Sequence, residues 1–335
     1  MKLNFILIIL LVSCTAAPSK QMKESKNFNG KVFQYKNQRI DKSLFEVLKW
    51  KLTDDDTPWP EEIPVEQVKI KKERVEKETH LTFINHSTFL IQNKNINILT
   101  DPIWGERTSP FSFIGPKRVR KPGVKFSDLP PIHVVLVGHN HYDHLDIDTL
   151  KKLNQEHSPT FIVGLGVERL LMENGIEKII SLDWDQSVTI SEIKYTFVAC
   201  KHWSARGIFD RNETLWGSFI INGDKQIYFA SDTGYSDHFK EQFKKYGPME
   251  ISLIPIGAYE PRWFMKDQHM NPRDSILAHK DLQSNLTIGM HFGTFKLTNE
   301  GINTPIEDLH KAQEEFKITE NEFIVPFFGQ SFRIK

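Results

Sequence analysis

Val134-Val135-Leu136-Val137 is a short apolar run fit for a buried strand, and it stops at Gly138, where His139-Asn140-His141-Tyr142-Asp143-His144 begins. His139 and His141 alternate, so in an extended chain both project to one side. Asp143 and His144 come where the chain should turn into a helix. Four ligand-type side chains in six residues fill a core poorly, because each needs a hydrogen-bond partner or an ion. Imidazole and carboxylate are the donors that zinc-like ions take, so the run reads as a metal site at the end of a strand. A lone histidine is more often structural; the whole pattern carries this reading.

Outward from this run, short β-rich segments stand at 81–84, 88–92, 96–100, 133–137, 161–164, 193–200, 218–222, 226–230, 251–256, 286–291 and 323–326. Many are bounded by Asn, Asp, Gly or Pro. Helical stretches at 146–154, 166–174, 237–246, 272–282 and 304–316 separate some of them. Thr304 and Pro305 suit a helix start as N-cap and first residue. Paired strands early, then strands alternating with helices, predict two sheets covered by helices. Ser43 to Trp50 has helical apolar spacing, with Leu44, Val47 and Leu48 on one face. The neighbouring Asp54-Asp55-Asp56 lacks EF-hand spacing and reads as a solvated turn.

The chain has 335 residues, enough to bury a sizeable core. It carries 43 basic and 43 acidic residues, so bulk charge gives no case for nucleic acid. Lys2 followed by the apolar run 3–12 reads as an export signal too short to span a bilayer. Leu11-Val12-Ser13-Cys14 then resembles the lipobox of bacterial lipoproteins. The expected order is a signal peptide at 1–13, a lipidated Cys14 heading a flexible polar tether at 14–30, an extension at 31–80 and the main domain at 81–335. With Cys14 lipidated, Cys200 has no intrachain partner, and the domain must stand on its core and its metal. The expected product is an exported, membrane-anchored lipoprotein, with inner or outer membrane and oligomeric state, a homodimer included, left open.

The pattern His-x-His-x-Asp-His after a strand resembles the metallo-β-lactamase superfamily. That resemblance implies an α/β fold, the four-layer αββα sandwich, with metals at the sheets' edge and an N-terminal extension in this chain. It also implies further ligands downstream, and His202, Asp232 and His291 stand in order, each after an expected strand. By position, His139, His141 and His202 would hold one metal, Asp143, His144 and His291 the other, with Asp232 bridging. Two divalent ions are expected, zinc first, although iron and manganese share such donor sets. Asp101 is placed to orient a ligating histidine, and Asp146 to do the same or to cap the following helix.

Longer segments are similar to one branch, the N-acylphosphatidylethanolamine-hydrolysing phospholipases D and their bacterial relatives. They include Asn85-His86-Ser87-Thr88, Thr100-Asp101-Pro102-Ile103-Trp104, Leu215-Trp216-Gly217-Ser218, Ile254-Pro255-Ile256-Gly257-Ala258-Tyr259-Glu260-Pro261-Arg262-Trp263-Phe264-Met265 and His291-Phe292-Gly293-Thr294-Phe295. The implied reaction is hydrolysis of N-acylphosphatidylethanolamine by metal-bound hydroxide, giving N-acylethanolamine and phosphatidic acid. Asp143 and His269 are the catalytic candidates, and Tyr142, Gln268 and His269 the substrate-binding ones. Trp263-Phe264-Met265 and Phe111-Ser112-Phe113-Ile114, near Arg262, Lys266 and Lys117, read as apolar loops suited to a bilayer interface, against a default of core packing. The rival readings are a lactonase or esterase of a soluble substrate, and a non-catalytic metal-binding surface lipoprotein.

Overall fold

A computed structural model describes residues 17–36, 42–53, 57–70 and 75–334. Its first half forms β1 (Thr79–Asn85), β2 (Thr88–Asn93), β3 (Ile96–Thr100), β4 (Val134–Val137), β5 (Thr160–Gly164) and β6 (Ile179–Leu182). Then follow β7 (Ser187–Ile190), β8 (Ile193–Val198), β9 (Ser218–Asn222), β10 (Gln226–Phe229), β11 (Ile251–Pro255), β12 (Leu286–Met290) and β13 (Phe323–Ile324), and β14 (Ser331–Ile334) returns to pair with β1. One sheet runs β14-β1-β2-β3-β4-β5-β6 and the other β13-β12-β11-β10-β9-β8-β7. Both are mixed: β3 to β6 and β10 to β13 pair in parallel, the rest antiparallel.

The β4 sequence shows why the layers stack this way. Val134 and Leu136 point into the core shared with the second sheet, while Val135 and Val137 join a separate cluster on the opposite face. A strand buried on both faces needs an unbroken apolar run, which is what 134–137 supplies. The outer cluster lies under the helices Ile147–His157 and Val167–Glu173, which contribute Leu150, Leu153 and Leu171. On the other side, His238–Tyr246, Pro272–Asp281 and Thr304–Phe316 bury Phe239, Ile276 and Leu309. Truncating a fully buried side chain such as Leu136 to Ala costs about 2–5 kcal/mol. The result is the expected αββα sandwich.

Several details differ from the sequence expectation. The tether expected at 14–30 is packed from residue 17 onward: Lys20–Glu24 is helical, and Met22 and Phe28 are buried in the main core. Two apolar residues spaced six apart in a polar stretch left no pattern to read. Phe33 and Tyr35 join the same core, and β1 begins at Thr79, inside the stretch assigned to the extension. Arg262–Met265 is a helical turn rather than a loop, with Phe264 and Met265 buried. The N-cap of the helix Thr304–Phe316 is Asn303. The strands β6, β7 and β14 went unexpected, being four-residue edge strands with few fully buried positions. Residues 1–16 and 54–56 lie outside the described residues, so the signal peptide, Cys14 and the Asp54-Asp55-Asp56 turn are not described. Among the described residues no helix is long and apolar enough to cross a membrane.

Candidate metal centre

Each expected ligand sits at or just past the carboxyl end of a strand: 139–144 after β4, His202 after β8, Asp232 after β10 and His291 after β12. In parallel α/β sheets these ends form the crevice where ligands bind. Four non-glycine residues around the centre take left-handed backbone: His86, Asp101, Ser231 and His291 have φ of 46°, 33°, 50° and 60°. Each costs roughly 1–3 kcal/mol and persists because its surroundings hold it.

The histidines are oriented from behind. His144 Nδ1 donates to Asp101 Oδ2 at 2.6 Å, and His202 Nδ1 donates to the Gln268 carbonyl at 2.8 Å. A neutral imidazole that donates through Nδ1 presents a lone pair at Nε2. His202 Nε2 lies 3.3 Å from His141 Nδ1, which is itself 2.8 Å from His139 Nε2. Three ring nitrogens thus converge with too few protons to satisfy one another, which is the arrangement a cation completes. On the other side, Asp143 Oδ2 is 3.4 Å from His144 Nε2 and 3.3 Å from His291 Nε2. Asp232 stands between the sets: Oδ2 is 3.1 Å from His144 Nε2 and 3.8 Å from His202 Nε2, and Oδ1 is 3.2 Å from His291 Nε2. The ligand atoms of His139, His141 and His202 lie within 4.8 Å of one another, as do those of His86, Asp143, His144 and His291. Close as they are to these neighbours, His144 Nε2 and Asp232 Oδ1 are buried without a well-aligned hydrogen bond. The donor set therefore fits divalent metal.

Electrostatics separate the two groups. Burial, reinforced by the neighbouring His144, holds His139 well below the usual histidine range, and burial brings His141 to about 3. Burial also lowers His202 well below its ordinary value. His144 and His291 are buried too, but the carboxylates outweigh burial: Asp232 leads in raising His144 well above its ordinary value and His291 to about 9. Asp143 and Asp232 resist the upward push of burial and are held well below the carboxylate range, chiefly by His144.

The other expected residues fall around this centre. His269 Nδ1 is 3.8 Å from Asp232 Oδ2, and burial lowers its pKa to about 4. Gln268 is buried, and its carbonyl serves His202; Tyr142 donates to the Arg206 carbonyl at 3.0 Å. All three line a cavity of about 470 Å³ that reaches His141, Asp143 and Asp232, walled by Val47, Trp50, Trp203, Phe264 and Met265. Asp146 caps the following helix and accepts the Gly105 N–H. Sequence reasoning passed over His86, whose Nε2 lies 3.1 Å from Asp143 Oδ2. The sequence carried it only inside the resembling segment Asn85-His86-Ser87-Thr88; in the structure it sits in a turn that is buried where turns are ordinarily exposed.

A family model described as a beta-lactamase superfamily domain matches residues 96–292. The chain belongs to the beta-lactamase superfamily, as a metal-dependent hydrolase with the metallo-β-lactamase fold. Within it, the chain is 35% identical over 273 residues to N-acyl-phosphatidylethanolamine-hydrolyzing phospholipase D 1 of Caenorhabditis elegans, covering 77% of each protein. It is 38% identical over 256 residues to an uncharacterised protein of Mycobacterium tuberculosis, covering 75% of this chain and 67% of that one. A metallo-beta-lactamase fold protein from Bacillus subtilis superposes with a TM-score of 0.55 at 16% identity, covering 76% of this chain and 99% of that one.

Proposed function

We propose that the protein is a dinuclear phosphodiesterase of phospholipase D type that cleaves N-acylphosphatidylethanolamine to N-acylethanolamine and phosphatidic acid. His139, His141 and His202 would hold one divalent ion, zinc first, and Asp143, His144 and His291 the other, with Asp232 between them. Bound there, the metals supply Lewis acidity that activates water near neutral pH and offsets charge on phosphoryl oxygens. Hydrolysis forms a P–O bond to the water oxygen, breaks the P–O bond to the N-acylethanolamine oxygen, and leaves a proton on that alcohol. Asp143 and Asp232 stay ionised, and His269 Nδ1 is buried without a partner beside them, placed to hand on a proton or hold the substrate.

The observation that carries a lipid substrate is the collar around the cavity. Four elements each line it with one residue set and expose large apolar side chains beside that set. The helix Leu44–Thr53 lines it with Val47 and Trp50 and exposes Phe45, Leu48 and Leu52. Arg206 and Gly207 adjoin exposed Ile208 and Phe209; Phe264 and Met265 adjoin Trp263. Thr108 begins the loop that exposes Phe113 and Ile114. Exposed apolar groups around the cavity suit a phospholipid surface. The relative named as hydrolysing N-acyl-phosphatidylethanolamine points the same way. Lipidation of Cys14 in an exported bacterial protein would hold the collar near such a surface; fatty-acid labelling that persists in Cys14→Ser would reject it.

Incubation of zinc-loaded protein with N-acylphosphatidylethanolamine, phosphatidylethanolamine and a lactone panel, with products read by mass spectrometry, tests the reading. The expected products are N-acylethanolamine and phosphatidic acid, lost in His141→Ala. Lactone opening alone would overturn it.

A further inference from the structure

The segment 203–212 does more than wall the cavity. Arg206 is mostly buried, and its Nη1 uses both of its hydrogens on main-chain carbonyls: Asn140 at 2.9 Å and Leu145 at 2.9 Å. Asn140 lies between His139 and His141, and Leu145 follows His144, so one amino group grips the metal-ligand run at both ends. The guanidinium carbon also sits 3.8 Å from the Tyr142 ring centroid, over the middle of the run. Tyr142 returns a hydrogen bond to the Arg206 carbonyl. Beside this, the Trp203 ring meets His141 edge to face, with centroids 4.2 Å apart, and the Arg211 guanidinium covers Trp203 at 3.8 Å.

The segment is itself fixed. Asp210 Oδ2 accepts the Arg206 N–H and Oδ1 accepts the Gly207 N–H, at 2.9 and 2.8 Å. Ser204 and Asn212 close its base through two hydrogen bonds, and the Asn212 carbonyl accepts the Phe33 N–H at 2.8 Å. The run 139–144 leaves β4 and reaches the helix Ile147–His157 through a turn, in which the Leu145 and His144 N–H groups reach back to the His141 carbonyl. A turn that must hold four metal donors needs a brace, and Arg206 bonds main-chain carbonyls on both sides of this one.

We propose that Arg206 is a positioning residue for the metal centre: it sets the spacing of His139, His141, Asp143 and His144 by clamping the Asn140 and Leu145 carbonyls. The proposal rests on the metal assignment above. Removing the guanidinium strands two buried carbonyls and frees the turn, and loss of groups that orient ligands typically weakens metal binding about 10–100-fold.

The test is cobalt(II) titration of the metal-free full chain, read by visible absorption, with circular dichroism to confirm folding. Wild type that binds no cobalt rejects the metal assignment itself. With wild type binding, Arg206→Ala is expected to bind at least tenfold more weakly with a changed ligand-field spectrum. Arg206→Lys, whose ammonium also offers two hydrogens to the carbonyls, should recover much of the loss, and added guanidinium should move Arg206→Ala back toward wild type. Asp210→Ala, which only unties the loop, should fall between. Wild-type affinity and spectrum in Arg206→Ala would overturn the proposal, as would a loss that neither lysine nor guanidinium reverses. If Arg206→Ala fails to fold, Asp210→Ala decides, and wild-type cobalt binding there overturns it.

Discussion

Asp101 Oδ2 accepts the His144 Nδ1–H at 2.6 Å while Oδ1 of the same carboxylate accepts the Gly138 N–H at 2.7 Å, so one side chain ties a ligand to the backbone that precedes the ligand run. Ser231 Oγ also donates to Oδ2, which brings the Asp232 turn into register with the same anchor. An amide in place of the carboxylate has a single oxygen and can serve one side only. Asp101→Asn is therefore expected to lower metal affinity and turnover about 10–100-fold. Metal titration against a chelator measures this, and an Asn variant with wild-type affinity would show that the anchor is dispensable.

His238 gives a pH dependence that is independent of the ligands. It is 1% exposed, and burial lowers its pKa to about 3. The folded form keeps it neutral down to that value, whereas the unfolded chain takes up a proton near 6.5. Stability from this group is thus unaffected above pH 6.5 and is lost as pH falls from there toward 3. At pH 5 the loss is roughly 2 kcal/mol. Urea unfolding at pH 7 and pH 5 should show wild type losing more stability than His238→Asn by about that amount, and equal losses would refute the assignment.

The fold is legible where the chain writes it locally. β3 and β9 match their expected bounds because an apolar run and its turn residues coincide. The ligands are legible for the same reason, since they stand directly after such runs. What the sequence hides is carried by distant partners. Arg206 lies in a loop without periodicity, and its two carbonyl acceptors are 66 and 61 residues away. Met22 and Phe28 are single apolar residues in a polar stretch, buried only because the folded sheet offers them a surface. The edge strand β7 alternates between exposed and half-buried, so it lacks the apolar contrast that marks a strand.

Gly257 stands where the backbone of the site is tightest. A Cβ there would lie 2.3 Å from the His291 carbonyl oxygen, a main-chain atom that cannot swing aside. Gly257→Ala must therefore displace His291, Gly257 or both. Overpacking of this kind costs about 1–3 kcal/mol. The expected result is a lower melting temperature together with substoichiometric metal after dialysis. A variant that melts and loads as wild type does would mean that the turn has slack the distances do not show.

Phe45, Leu48 and Leu52 recur at helical spacing on Leu44–Thr53 and are 76%, 58% and 81% exposed. The opposite face is already committed: Trp50 stacks on Phe264 with centroids 4.9 Å apart and donates its indole N–H to Asn299 Oδ1 at 2.9 Å. A helix that is apolar on both faces has one face left over, and here the other face, with Val47 and Trp50, lines the cavity. Replacing all three residues by Ser removes about 150 Å² or more of apolar surface from any membrane contact, and at about 25 cal/mol per Å² this exceeds the 1.4 kcal/mol of a tenfold change. The side chains pack on little in the folded protein, so folding and turnover of a soluble chromogenic phosphodiester should stay within about twofold of wild type. Flotation with phospholipid vesicles, using protein that lacks the Cys14 lipid, should show binding at least tenfold weaker than wild type, with hydrolysis of vesicle-borne substrate falling in step. Undiminished flotation would remove this helix from the membrane-facing collar, whereas equal losses on soluble and vesicle substrates would place its role inside the cavity instead.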